Sequence, residues 1–72
     1  MGLDFTFHAK KRMIKREISE EMTKETLEKP DAIAKAKDNK KIAYKDFNGR
    51  VVEVVFVEEN SDKIIISVRW SK

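Results

Sequence analysis

Residues 41–58, KIAYKDFNGRVVEVVFVE, contain the turn that decides the fold. Asn48-Gly49 is the strongest short hairpin signal, because both central positions of a type I′ turn need a positive φ. The flanking residues alternate in polarity, which predicts strands over 41–47 and 50–58. After a second turn, the isoleucine-rich run 63–71 predicts a third strand. We therefore expect a three-stranded antiparallel meander.

The two-residue turn also predicts how these strands pair. It sets Phe47 opposite Arg50, and this pair determines which residues lie opposite each other further along the two strands. If the ladder from the second turn continues without interruption, Arg69 lies opposite Val52. One face is then mixed and carries Ala43, Val52, Val54, Phe56 and Ile65 with Lys45, Arg50, Ser67 and Arg69. The other is more apolar and carries Ile42, Tyr44, Val51, Val55, Val57, Ile64, Ile66, Val68 and Trp70, interrupted by Glu53 and Asp46.

Two helices are predicted before the strands. Thr6 is an N-cap candidate for a helix over 7–16, and Ser19 is one for a helix over 20–29 that ends before Pro30. Residues 31–40 have no clear period and are assigned as a connector, in which a short strand or a turn of helix around residues 32–36 stays open. The expected fold class is α+β, with two short N-terminal helices packed on the more apolar face of the meander. The mixed face would stay open for a homodimer contact or a partner protein.

Composition limits the classes of protein to consider. The chain has 72 residues, 40% of them hydrophobic, which predicts a single domain over residues 1–72. With no cysteine and one histidine, we expect no disulfide, no metal site and no other cofactor. No apolar run approaches the length of about 18 residues that a membrane span needs. The sequence predicts a soluble, cytoplasmic protein.

The segment HAKKRMIKREIS, residues 8–19, combines the single histidine with five cations. His8, Arg12 and Arg16 share one helix face because they are spaced four residues apart. One interpretation is a ridge that binds RNA phosphates, with His8 as a catalytic proton acceptor. The other is structural: both arginines pair with glutamates of the second helix while His8 packs.

Glu53 is a second catalytic candidate, because a carboxylate inside an apolar strand can act as a general base. Its structural alternative is an ion pair with a lysine or with Arg12 at the sheet margin. Lys45, Arg50 and Arg69 are further candidates for nucleic-acid binding. RNA cleavage by these residues would use His8 or Glu53 as the base and the cations at the phosphate, without a metal ion. The predicted register sets the sheet cations on the face opposite Glu53, so a non-catalytic basic binding module or partner-binding subunit is the alternative.

A family resemblance rests on His8-Ala9, Arg12-Met13, Arg16, Ile18-Ser19, Leu27, Pro30-Asp31 and the terminal strand IIISVRW. This pattern resembles a small prokaryotic family, domain of unknown function 4258. The resemblance implies a fold similar to RelE and BrnT toxins, and on that analogy a toxin-like RNA-binding protein or endoribonuclease with an antitoxin-like partner. The chain departs from the family at Glu17, where many members have glycine, and at Thr23, where many have an aliphatic residue.

Overall fold

The computed structural model describes residues 2–71 and shows an α+β fold, a five-stranded mixed sheet with both helices on one face. The elements in chain order are β1 (Leu3–Phe5), α1 (Phe7–Arg16), α2 (Glu20–Glu28), β2 (Ala32–Lys35), β3 (Lys41–Phe47), β4 (Arg50–Glu59) and β5 (Asp62–Trp70). The strand order is β1-β5-β4-β3-β2, with β1 parallel to β5 and the other pairs antiparallel. The predicted three-stranded meander with N-terminal helices is therefore wrong.

Two strands beyond the predicted meander, β1 and β2, lie at the two edges of the sheet, and β2 falls where the sequence leaves a short strand open. β1 has three residues, too few to show alternation, and it pairs with a strand far along the chain, Leu3 opposite Lys63. β2 has the sequence AIAK and pairs with β3, Ala32 opposite Tyr44. Alanine has a low strand propensity, so its strand character comes from the pairing with β3. Both strands depend on tertiary contacts that the local sequence does not encode.

Both predicted helix caps are confirmed. The Thr6 hydroxyl oxygen accepts a hydrogen bond from the Ala9 N–H at 3.2 Å and donates to the Ile65 carbonyl at 2.8 Å, which ties α1 to β5. The Ser19 hydroxyl oxygen accepts from the Met22 N–H at 3.1 Å. Each of these hydroxyl oxygens accepts a hydrogen bond from a backbone N–H that would otherwise lack a partner at the start of its helix.

A left-handed residue, Glu17, links the two helices. Its φ is 55° and its ψ is 44°, and the Ile18 N–H donates to the Met13 carbonyl at 2.9 Å, as in a Schellman motif. This position normally favours glycine because a Cβ is crowded in the left-handed region. A glycine at this position, as the resemblance implies, would fit the same turn geometry that Glu17 adopts here.

Replacing Glu17 with glycine is expected to stabilise the protein by about 1 kcal/mol, because the left-handed backbone no longer carries a Cβ. Urea unfolding followed by circular dichroism measures the change. The control is Glu25→Gly, the same substitution inside α2, which is expected to destabilise by about 1 kcal/mol. Equal losses in both variants would contradict the turn interpretation.

The first hairpin has the predicted register, with Phe47 opposite Arg50 and Lys45 opposite Val52. The second ladder does not, because its register shifts between Val55 and Phe56. Phe56 pairs with Ile65 and Val55 with Ser67, so Ile66 is an extra residue on β5. The shift resembles a β-bulge, which moves every later side chain of the strand to the other face.

The bulge reverses the predicted assignment of the two faces. Val68 and Trp70 move to the face that contacts the helices, whereas Arg69 moves opposite Glu53 on the other face. The sheet residues of the core are Ala43, Val52, Val54, Phe56, Ile65 and Val68, covered by Ala9, Met13, Ile18 and Leu27. The helices thus cover the face predicted to be mixed and open. The predicted homodimer through that face is wrong, because its apolar side chains are fully buried under the helices.

None of the helices within residues 2–71 has the length and apolar character needed to cross a membrane.

Candidate nucleic-acid interface

α1 presents a cationic groove to solvent. Ala9 and Met13 are buried against the sheet, so the residues between them point outward. The groove has a volume of about 320 Å³ and is lined by His8, Lys11, Arg12, Lys15 and Arg16. The four-residue spacing therefore places His8, Arg12 and Arg16 side by side, as the sequence predicts. Ile14, an apolar residue next to the buried Met13, is 81% exposed.

Arg16 is anchored at the C-terminal end of this groove. Its Nη1 donates a hydrogen bond to the Val68 carbonyl at 2.9 Å, and the Trp70 indole N–H donates to the Arg16 carbonyl at 2.7 Å. The Arg50 guanidinium carbon lies 3.9 Å from the centroid of the Trp70 ring, within range of a cation–π interaction. Trp70 thus contacts both Arg16 and Arg50, and its ring packs against the hydrophobic core.

The cations of the groove have no carboxylate partner within residues 2–71. The ion pairs described there are Lys41–Glu58, Lys45–Glu25 and Arg69–Glu53. The structural alternative, in which Arg12 and Arg16 pair with glutamates of α2, is therefore wrong. Unneutralised positive charge on one helix face is suited to binding a polyanion.

An exposed aromatic ring lies beside the groove. Phe7 is 73% exposed, and its ring centroid is 6.5 Å from that of His8. The Lys11 Nζ lies 5.4 Å from the centroid of the Phe7 ring. The sequence pattern identifies Phe7 only as the first residue of a helix. At 100° per residue, Phe7 lies about 160° and 120° around the helix from the buried positions Ala9 and Met13, and this separation is the signal that could have identified it.

The other predicted site residues lie elsewhere. Lys45 Nζ donates to the Lys29 carbonyl at 3.0 Å and lies 3.9 Å from a Glu25 carboxylate oxygen, so it binds the C-terminal end of α2. Glu53 projects from the face away from the helices, where the Arg69 guanidinium donates to it at 3.2 Å. The structure therefore does not bring the two candidate catalytic residues, His8 and Glu53, together.

One ion pair at the β3–β4 ladder perturbs a carboxyl group. Lys41 Nζ lies 2.6 Å from Glu58 Oε1, and this hydrogen bond, together with the lysine charge, lowers the pKa of Glu58 from 4.5. The stabilisation that this group contributes is present above pH 4.5 and is lost as the pH falls through the lowered pKa of the folded state. Between residues 2 and 71, no three histidine or carboxylate side chains cluster as a metal site would require.

A comparison with protein families matches residues 5–70 of the chain to a family model. The family is described as "Domain of unknown function (DUF4258)". No curated protein and no solved structure matches the chain, so the predicted likeness to RelE and BrnT toxins has no support from either comparison.

Proposed function

The chain belongs to the DUF4258 family, and we propose that this member binds single-stranded RNA through α1. The observation that supports this proposal is the groove of four cations and one histidine, without carboxylate partners, next to the exposed Phe7 ring. The cations would contact phosphates, and the ring would stack on an unpaired base. The proposal includes a cytoplasmic location, where RNA is accessible.

The length of α1 suits a short stretch of single-stranded RNA. Residues 8 to 16 rise about 12 Å along the helix axis, at about 1.5 Å per residue. Because Arg16 is held by the Val68 carbonyl, its guanidinium needs less ordering on binding than a free side chain would. Single-stranded RNA fits better than a duplex, because a stacked base pair offers no free face to Phe7.

We propose RNA binding by α1 and no cleavage of the bound RNA. An endoribonuclease needs an acid and a base at one phosphate, but Glu53 lies on the opposite side of the sheet from α1 and is paired with Arg69. Arg50 could extend the groove past Trp70, whereas Lys45 and Arg69 bind groups of the protein itself. Toxin activity and an antitoxin-like partner are not part of the proposal.

Replacing Arg12 and Lys15 with glutamine is expected to weaken oligouridine binding and to reduce its salt dependence. For single strands, the slope of log K against log salt is about −0.7 per neutralised phosphate, so loss of two contacts should reduce it by about 1.4. Fluorescence anisotropy with a labelled oligouridine, at several salt concentrations, measures both quantities. Phe7→Ala should weaken binding about tenfold with an unchanged slope, because stacking involves no counterion release.

The control variant replaces Lys10 and Lys37 with glutamine. It removes the same net charge from exposed positions that do not line the groove. We expect it to retain most of the slope. If both double variants lose the same affinity and slope, RNA is attracted by the net charge alone and the proposed interface is wrong.

A further inference from the structure

The sheet face away from the helices, here called the open face, is apolar at its centre. Ile42 and Val55 are paired across β3 and β4, and Val57 and Ile64 across β4 and β5. Tyr44 and Val51 complete the set, and all six side chains are half-buried. Within residues 2–71, neither helix packs on this face, because both pack against the opposite one. An antiparallel sheet with a solvated face normally alternates to polar residues there.

Charge is divided between the two faces of the sheet. Strand pairing places most of the strand cations on the helix-covered face: Lys35, Lys41, Lys45, Arg50 and Lys63. It places five carboxylates on the open face: Asp4, Asp46, Glu53, Glu59 and Asp62. The only cation on the open-face positions of these strands is Arg69, which is paired with Glu53. Five negative charges and one positive charge leave this face with a net charge of −4.

This charge determines which occupant fits the open face. Two copies stacked through it would bring two faces of net charge −4 together, and like charges opposed across an interface are costly. Nucleic acid is disfavoured for the same reason. A half-buried apolar centre with carboxylates toward its ends instead complements a segment that has apolar residues on one side and lysine or arginine along its borders.

We propose that the open face is a docking surface for a cationic amphipathic segment of a partner protein. The apolar side chains of that segment pack on Val55, Val57 and Ile64, and its cations reach carboxylates such as Asp4 and Glu59 at one end of the sheet. The surface is on the opposite side of the sheet from α1. The proposal is therefore independent of RNA binding, and either can fail without the other.

The test uses two short helical peptides that share one leucine face. One peptide has lysine at its remaining positions and the other has glutamate. We expect the lysine peptide to bind the full chain at least about tenfold more tightly than the glutamate peptide in fluorescence anisotropy, because only the first complements the open face. Methyl NMR locates the contact: signals of Val55, Val57 and Ile64 should shift, and those of the buried Val52 and Val54 should stay unchanged.

Matched charge variants distinguish peptide binding at the open face from peptide binding at a second groove. That groove has a volume of about 500 Å³, lies between α2 and β1, and includes Glu20 and Glu21 in its lining. Asp4→Asn combined with Glu59→Gln is expected to weaken the lysine peptide about fivefold to tenfold. Glu20→Gln combined with Glu21→Gln removes equal charge from α2 and should change affinity less than about twofold.

Four results would overturn the proposal. They are absence of binding by the lysine peptide, equal binding of the two peptides, a larger loss in the α2 variant than in the open-face variant, and a dimeric mass without peptide that Val57→Lys abolishes. The last result would make a second copy of the chain the occupant. A monomeric mass together with the expected peptide discrimination supports a cationic partner.

Discussion

Replacing Phe56 with alanine is expected to unfold most of the protein. Phe56 is 2% exposed at the centre of the core and is the largest fully buried side chain described. Truncating a buried phenylalanine costs about 3–5 kcal/mol. A domain of this size without disulfides obtains about 3–5 kcal/mol from its core, so the loss is comparable with the whole stability. Circular dichroism in buffer and in urea measures the folded fraction.

Phe7→Ala is the matched control for this experiment. It removes the same ring from a position that is 73% exposed, and its free energy of unfolding is expected to change by less than about 0.5 kcal/mol. A Phe56→Ala variant that unfolds at the urea concentration of the parent protein would show that β4 does not form the centre of the core.

Replacing Arg69 with methionine is expected to destabilise the protein by about 2 kcal/mol. Its guanidinium is the ion-pair partner of Glu53, whose side chain is only 9% exposed. Removing one partner leaves a buried carboxylate without compensation, which costs about 3–5 kcal/mol for fully buried pairs. The cost is smaller here because the Arg69 side chain is 56% exposed, so water already screens part of the interaction.

The double variant Glu53→Met with Arg69→Met tests the reason for that loss. Apolar replacement of both partners is often neutral or stabilising, so we expect it to recover most of the lost free energy. Urea unfolding of the parent, both single variants and the double variant completes the cycle. If the double variant is as unstable as Arg69→Met, the effect comes from packing of the arginine side chain and the charge argument is wrong.

Part of the fold could be predicted from short segments of the sequence. Thr6 and Ser19 cap their helices, and Asn48-Gly49 sets the first hairpin, because each signal lies within a few residues of the structure that it forms. The bulge at Ile66 has no such signal: it lies in a run of three isoleucines, with no glycine or proline to distinguish one register from the next.

That single residue accounts for the wrong assignment of the core face. Without the bulge, Val68 and Trp70 count toward the other face, and the more apolar side is misidentified. The same shift brings Arg69 opposite Glu53, so the ion pair also could not be predicted. In contrast, the groove on α1 follows from helix periodicity alone, which needs no knowledge of strand pairing.

The position of β5 between β1 and β4 has a consequence for synthesis of the chain. β1 and α1 are made before β5, yet both contact it, and the Thr6 hydroxyl donates to the carbonyl of Ile65. Until the ribosome has released residues up to Trp70, the N-terminal helix has no surface on which to dock. Packing of α1 on the sheet must therefore wait for translation of β5, and the apolar side chains of the β3–β4 hairpin that α1 and β5 cover stay exposed during that interval.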